Sequence, residues 1–164
     1  MRKLTEGWAE MNLGEHIYIA GRIGWRGLKA KEYVPAGPIL LSVPNLNYGD
    51  EVDFRKINHI SQERYDESPE IQLKVGDTLL VKDGAGIGKI GFVAALPGPA
   101  TVNSSLLVVR PNNSFLTDKY LFYYLKGPIF QQVALYRITG SATPHLFQKD
   151  IKKLRVLVPP RNQQ

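Results

Sequence analysis

The glycine-rich segment 82–91 comes closest of all parts of the chain to a site for chemistry, namely nucleotide binding. A phosphate-binding loop, G-x-x-x-x-G-K-[ST], wraps backbone N–H groups around phosphates and holds magnesium with a hydroxyl group. Here Gly84 and Gly88 are one residue too close together, and Ile90 stands where Ser or Thr is required. The segment also matches G-x-G-x-x-G, but that motif needs a following helix, whereas 92–97 is short and strand-like. A hairpin tip with glycines at positive φ is therefore favoured, and a nucleotide-dependent enzyme is kept as the alternative.

Other reaction centres lack a residue that their mechanism needs. The chain has no cysteine, and its three histidines (His16, His59 and His145) are too far apart in sequence to indicate a zinc site. No serine lies in a G-x-S-x-G elbow. Asp150-Ile151-Lys152 supplies half of a divalent-metal nuclease motif, and Pro159-Pro160 lacks the neighbours of an adenine methyltransferase motif. No reaction centre therefore stands out in the sequence, and we expect no cofactor or metal ion in the chain itself.

Charge is unevenly distributed along the sequence. The net charge is +6, yet the window 50–70 holds seven acidic and three basic side chains, so that the rest of the chain carries +10. Windows 16–31 and 119–149 each contain four basic residues and no acidic one. If the two basic windows share a face, the protein has a cationic side and an anionic back. A cationic face attracts polyanions such as nucleic acid.

Side chains that could contact DNA lie on three segments. Three glycines within 21–27 predict an exposed loop, and the first candidates lie on it or just after it. Arginine suits guanine in the major groove, and lysine suits phosphate. The loop 139–146 either forms a helix C-terminal turn or donates hydrogen bonds to DNA. The candidates are Arg22, Arg26 and Lys29 for bases, Trp25 for packing beneath the loop or against DNA, Lys31, Lys82 and Lys89 for phosphates, and Ser141, Thr143 and His145 for either.

Hydrophobic periodicity predicts one α+β domain, in keeping with a length of 164 residues and a hydrophobic content of 43%. No apolar run approaches a membrane span, and the first residues lack a signal peptide, so we expect a cytoplasmic protein. The predicted strands are 13–20, 39–43, 78–82, 89–94, 104–110 and 154–158, with a hairpin over 78–94. The predicted helices are a short one over 62–66 capped by Ser61, one over 117–126 capped by Thr117, and one over 128–138 after Gly127-Pro128.

Several short motifs, in this order, resemble the target recognition domains of type I restriction–modification specificity subunits. The resemblance spans nearly the whole chain, and the set in order is more specific than any one motif. The motifs are Gly24-Trp25-Arg26-Gly27-Leu28 with Glu32-Tyr33, the run from Gly76 to Gly84 with Ile87-Gly88-Lys89, Asn103-Ser104-Ser105-Leu106, Tyr120 to Leu125, Thr139 to Leu146, and Leu157-Val158-Pro159-Pro160 followed by Gln163.

The resemblance implies a non-catalytic reader of double-stranded DNA that recognises one half of a bipartite target. Partner methyltransferase subunits would bring S-adenosylmethionine, and a restriction subunit would join the complex. The family fold is a β-rich N-terminal part, coiled somewhat like a β-helix, followed by a C-terminal α-helical hairpin. On this interpretation 1–160 form a single recognition domain and 161–164 begin a spacer helix. A protein-interaction module of the same complex is a further alternative.

Overall fold

A computed structural model of the chain describes residues 6–140 and 142–164, apart from the side chain of Trp25. The elements alternate between short strands and short helices, and the longer helices lie in the second half. The strands are β1 Ala9–Asn12, β2 Ile17–Gly21, β3 Val34–Leu41, β4 Asn58–His59, β5 Thr78–Val81, β6 Ile90–Phe92, β7 Ala100–Val102, β8 Leu106–Pro111 and β9 Arg155–Val158. The helices are α1 Gln62–Asp66, α2 Asp118–Lys126, α3 Pro128–Thr139 and α4 Gln148–Lys152.

Three small sheets form the β part of the fold. The largest is antiparallel with strand order β2-β8-β5-β6. A second sheet has the order β4-β3-β7, in which β3 and β7 run parallel. The third pairs β1 with β9 antiparallel and so joins the two ends of the described chain. The predicted mixed α+β fold is confirmed.

The four-stranded sheet is buried on both faces. Leu80 and Leu107 face a core shared with the helices, whereas Leu79 and Val108 face a core shared with the three-stranded sheet. Successive side chains of a strand point to opposite faces, so a strand covered on both sides needs apolar residues throughout. Accordingly, the fully buried residues of β5 and of the first four positions of β8 are apolar, with Thr78 as the exception.

The helix signals in the sequence act locally and are found in the structure. The Thr117 side chain accepts a hydrogen bond from the Tyr120 amide at 3.1 Å, and Gly127 separates α2 from α3. The Ser61 hydroxyl likewise accepts from the Arg64 amide at 3.3 Å. The α3 helix packs inward through Phe130 and Ala134, which are buried.

Strand boundaries differ more from the prediction. The first predicted strand, 13–20, begins only at Ile17, since Leu13–Glu15 form a turn of 3-10 helix. Three strands and one helix were not predicted, namely β1, β4, β7 and α4. Strands of two to four residues carry too few side chains to show a period, and pairing with distant segments stabilises them instead.

Candidate nucleic-acid interface

The antiparallel order of the large sheet brings loops from distant parts of the sequence to one end. The C-terminal ends of β2 and β5 lie beside the N-terminal ends of β8 and β6, since Gly21 pairs with Leu107 and Val81 with Leu106. The loops 22–27, 82–89 and 103–105 therefore start or finish at the same edge. Segment 142–147 packs onto the same edge. We call these four segments the loop end, and the opposite edge, with Thr78 and Pro111, the far end.

The hairpin tip 82–89 has the backbone that its glycines predicted. Gly84 and Gly88 have φ of +80° and +88°, which are left-handed values that side chains disfavour. The Gly88 amide donates to the Val81 carbonyl at 3.1 Å, closing the tip. The tip is followed by strand β6 and not by the helix that dinucleotide binding requires. The hairpin prediction is thus confirmed.

Segment 142–147 is held against this tip by backbone hydrogen bonds. The Leu146 amide donates to the Lys82 carbonyl at 2.7 Å, and the Gly84 amide donates to the Pro144 carbonyl at 3.4 Å. The His145 imidazole Nδ1 contacts the Asp83 carboxylate, which also lies 3.9 Å from the Lys82 ammonium. Two predicted contact segments, more than 50 residues apart in sequence, therefore form one surface.

The prediction that Arg22 lies on an exposed loop is wrong. Its side chain is only 3% exposed, and its guanidinium group donates to the Val102 carbonyl at 3.0 Å, the Thr101 hydroxyl at 3.3 Å and the Ser68 hydroxyl at 3.4 Å. Burial, together with the nearby Arg64 guanidinium, lowers the pKa of Arg22 from its usual value. An arginine held in this way links loop 22–27 to β7, and its guanidinium group is not presented to solvent.

The remaining cations of this region differ in how free they are. Arg26 is half-buried and donates to the Glu67 carbonyl. Lys29, which precedes the 3-10 turn Ala30–Glu32, and Lys31, which lies within it, are both exposed. An ion pair between Arg64 and Glu32 at 3.0 Å holds this turn in place.

The lysines of the hairpin tip are placed differently from each other. Lys82 is mostly buried along its side chain, which is 18% exposed. Lys89 is exposed, and its ammonium group donates to the Asn47 amide oxygen at 2.6 Å. Thr143 is exposed on the neighbouring segment. Ser141 and the Trp25 side chain lie outside the described part of the chain, so their predicted roles have no counterpart in the geometry.

One residue at the loop end was missed by sequence reasoning. Phe147 exposes 45% of its surface two positions after His145 and has basic residues near its ring. The signal available in the sequence was an aromatic residue inside the acid-free window 119–149. In the sequence, Phe147 looks like a core residue, because phenylalanine is usually buried in the protein core.

The described residues contain neither a metal-binding cluster nor a membrane-spanning helix. Within 6–140 and 142–164, no group of three or more His, Asp or Glu side chains is arranged to hold a metal ion. In the same ranges, no helix combines the length and apolarity needed to cross a lipid bilayer.

Comparison with known proteins gives consistent relatives. The chain is 25% identical over 163 residues to the type I restriction enzyme MjaVIII specificity subunit of Methanocaldococcus jannaschii. The aligned region covers 99% of the chain and 34% of the relative. It is 24% identical over 120 residues to the putative MjaX specificity subunit of the same organism, covering 70% of the chain and 28% of the relative.

Solved structures share the fold. A chain from a structural study of complex assembly in a type I restriction–modification system superposes with a TM-score of 0.72 at 20% identity, over 98% of this chain and 36% of that one. The HsdS subunit of Thermoanaerobacter tengcongensis gives 0.69 at 19% identity, over 98% and 35%. The chain thus spans about a third of the length of these proteins.

The family comparison covers nearly the whole sequence. The model of the type I restriction modification DNA specificity domain matches residues 6–164, which includes every strand and helix described above. On this match the chain belongs to the family of type I restriction modification DNA specificity domains.

Proposed function

We propose that the chain is a non-catalytic reader of double-stranded DNA that recognises one part of the target of a type I restriction–modification complex. The observation that carries this proposal is the loop end, where one edge of a sheet gathers basic side chains from separate segments. Arg26, Lys82 and Lys89 come from loops up to about 60 residues apart in sequence, and the exposed Lys29 and Lys31 follow the first of these loops. Family membership supports the same function.

The proposed division of labour follows the chemistry of the side chains. Lys29, Lys31 and Lys89 are exposed ammonium groups suited to phosphate oxygens, which fix a protein on the duplex without reading sequence. Arg26, Thr143 and His145 are the proposed base contacts. Arg22 is left out of the proposal, because its guanidinium group is already engaged inside the protein.

Partners are proposed from the family. A methyltransferase subunit would supply S-adenosylmethionine and the methyl transfer, and a restriction subunit would join the complex. We also retain as proposals the β-helix-like coil, the helical hairpin formed by α2 and α3, and the single recognition domain over 1–160. Residues 161–164 would begin a spacer helix; Arg161–Gln163 form one 3-10 turn.

A second candidate function, protein interaction within the same complex, has one observation in its favour. Helix α3 exposes Ile129, Leu135 and Tyr136, each by 58% to 70% of its surface. The DNA-binding proposal above uses none of these residues. Exposed apolar residues grouped on one helix favour contact with another protein. This function and DNA binding are compatible, since the exposed apolar residues of α3 are different residues from the lysines proposed to contact phosphate.

The test is a binding titration with short random-sequence duplexes at increasing salt concentration. Each phosphate contact releases counterions, so affinity should fall linearly on a log–log plot with a slope of about −0.9 per contact. A flat salt response would leave DNA binding without support and favour the protein-interaction function. Binding by one domain can be weak, since linking two modules raises the apparent affinity of both.

Two variants separate the proposed roles. Lys89→Ala should weaken binding to all sequences alike and reduce the salt slope by about one unit. Arg26→Ala should instead relax the base preference at one position, with Arg26→Lys as a variant that keeps the charge but loses the bidentate geometry. Equal losses across sequences for Arg26→Ala and Lys89→Ala would remove Arg26 from the proposed base-reading set.

A further inference from the structure

Phe147 is a large apolar side chain exposed at the loop end, and the structural roles described so far do not use it. Nearly half of its surface is accessible, although the adjacent Leu146 is fully buried. Leu146 is also the residue whose amide is bonded to the Lys82 carbonyl at 2.7 Å. The ring of Phe147 is therefore presented directly beside the hairpin tip.

The backbone of Phe147 is held in place by a carboxylate. Its amide donates to Asp150 Oδ2 at 2.9 Å, and the other oxygen of the same carboxylate accepts from the Arg137 guanidinium group. Asp150 is itself largely buried, with a side chain 10% exposed. The backbone that carries the ring is thus held by the Arg137–Asp150 ion pair, which limits the conformational entropy lost on binding.

Cationic groups surround the ring. The Arg137 Cζ atom lies 5.5 Å and the Lys149 Nζ atom 5.2 Å from the ring centroid, and the His145 ring packs against it in a T-shaped arrangement at 4.4 Å. The Arg137 and Lys149 cations favour the approach of a polyanion. Insertion of the ring between base pairs would displace the cations that lie over it, whereas contact through a free ring edge would not.

Thymine is the base that offers an apolar group to such an edge. Its 5-methyl group projects into the major groove, where phenylalanine is one of the side chains that contact it. We propose that Phe147 is a specificity-determining residue that favours thymine at one position of the DNA target through contact with the 5-methyl group. The inference rests on the proposed DNA-binding function, and it adds a chemical identity to one position of the recognised sequence.

The first experiment uses the unmodified protein. Duplexes bound by the wild-type chain are selected from a random pool, and each enriched thymine is then replaced by deoxyuridine, which lacks only the methyl group. At one position this replacement should weaken binding about fourfold, the effect of leaving one methyl group unburied. Selection without an enriched thymine, or indifference to every replacement, would overturn the inference.

The second experiment uses a matched pair of variants. Phe147→Ala should abolish the difference between thymine and deoxyuridine at that position, while Phe115→Ala should preserve it. Phe115 is 58% exposed and also packs against a histidine ring, His16 at 5.2 Å, but it follows β8 at the far end. A Phe147→Ala protein that still distinguishes the two bases would also overturn the inference.

The outcomes distinguish the inference from the function on which it rests. Salt-dependent binding by the wild type that ignores the methyl group overturns the role of Phe147 and leaves DNA binding in place. Absence of salt-dependent binding overturns both. Should Phe147→Ala fail to fold, as judged by its circular dichroism melt, Phe147→Leu takes its place, because leucine keeps an apolar side chain but lacks the ring edge.

Discussion

At the scale of single residues, the molecule uses its arginines for two different purposes. Arg22 and Arg110 lie inside and satisfy buried oxygen atoms: Arg22 bonds to β7 and Ser68, and Arg110 pairs with Asp77 at 2.8 Å. Arg26 is half-buried at the loop end. An arginine that donates to buried acceptors inside the protein stabilises the fold, since removing it leaves those acceptors unpaired.

The first prediction concerns Arg22. Arg22→Ala should lower the free energy of unfolding by about 2–4 kcal/mol, because three buried acceptors lose a charged donor. Lys89→Ala should leave stability within about 0.5 kcal/mol, as expected for an exposed side chain. Urea denaturation of both variants makes the comparison. An unchanged midpoint for Arg22→Ala would contradict the structural role assigned to it.

The second prediction concerns the ion pair between Asp77 and Arg110. Asp77 is 1% exposed and also accepts from the Lys74 amide at 2.8 Å. Burial raises the pKa of Asp77 above its usual value, and the Lys74 amide and Arg110 only partly oppose this rise. Asp77→Ala should cost about 3–5 kcal/mol, because it leaves the Arg110 charge largely buried without its partner.

A surface ion pair serves as the control for this prediction. Lys126 pairs with Asp50 at 2.6 Å, but both side chains are about half exposed. Lys126→Ala should therefore cost at most about 1 kcal/mol, since water solvates the remaining charge. Thermal unfolding of the two variants under the same conditions ranks them. Similar losses for both would contradict the contrast between the buried and the exposed pair.

At the scale of elements, the hairpin tip and helix α3 are fitted to each other. Gln131 of α3 donates to the Gly88 carbonyl at 3.0 Å and to the Leu125 carbonyl at 2.9 Å. A Cβ atom on Gly88 would lie 2.7 Å from the Ala134 Cβ atom. Glycine at this position thus serves both the left-handed turn and the close approach of a helix.

The third prediction separates these two demands. Gly88→Ala should destabilise the protein by about 1 kcal/mol more than Gly84→Ala, because overpacking is added to the strain of positive φ. Gly84 has nearly the same φ, but a Cβ atom there would meet no atom within 4 Å. Chemical denaturation of the pair isolates the packing contribution. Equal losses of stability would contradict the prediction and would mean that α3 moves to accommodate the added methyl group without a measurable loss of free energy.

At the scale of the whole molecule, the acidic window 50–70 contacts both basic windows, so its charge does not lie apart from theirs on a separate anionic back. The Glu67 backbone carbonyl accepts from Arg26, and the Asp50 carboxylate pairs with Lys126. Asp150 likewise pairs with Arg137. The positive charge available for DNA is therefore local. It consists of exposed lysines at or next to the loop end that no carboxylate pairs with in the described structure, namely Lys29, Lys31 and Lys89.

The fourth prediction tests charge position against net charge. Lys89→Glu and Lys74→Glu each change the net charge by −2, from +6 to +4, but Lys74 is exposed at the far end. At about 0.1 M salt, Lys89→Glu should weaken duplex binding at least tenfold and Lys74→Glu should change it less than threefold, because screening confines each charge to about 10 Å. Equal effects would show that only net charge matters.

The sequence alone determined those features that depend on neighbours along the chain. The limits of α2 and α3 follow from Thr117, Gly127 and Pro128, and the hairpin follows from its glycines, since capping and turn geometry involve only a few adjacent residues. The ordered motifs also indicated the family, which the comparison with known proteins confirms.

The tertiary structure alone decided which predicted side chains are available. Arg22 and Arg26 both lie on the glycine-rich loop, yet Arg22 is turned inward by acceptors 46 to 80 positions away in sequence. The parallel pairing of β3 with β7 and the hydrogen bond from the Leu146 amide to the Lys82 carbonyl likewise involve distant segments. Local sequence patterns contain no record of such partners, because burial is set by what the folded chain brings together from elsewhere.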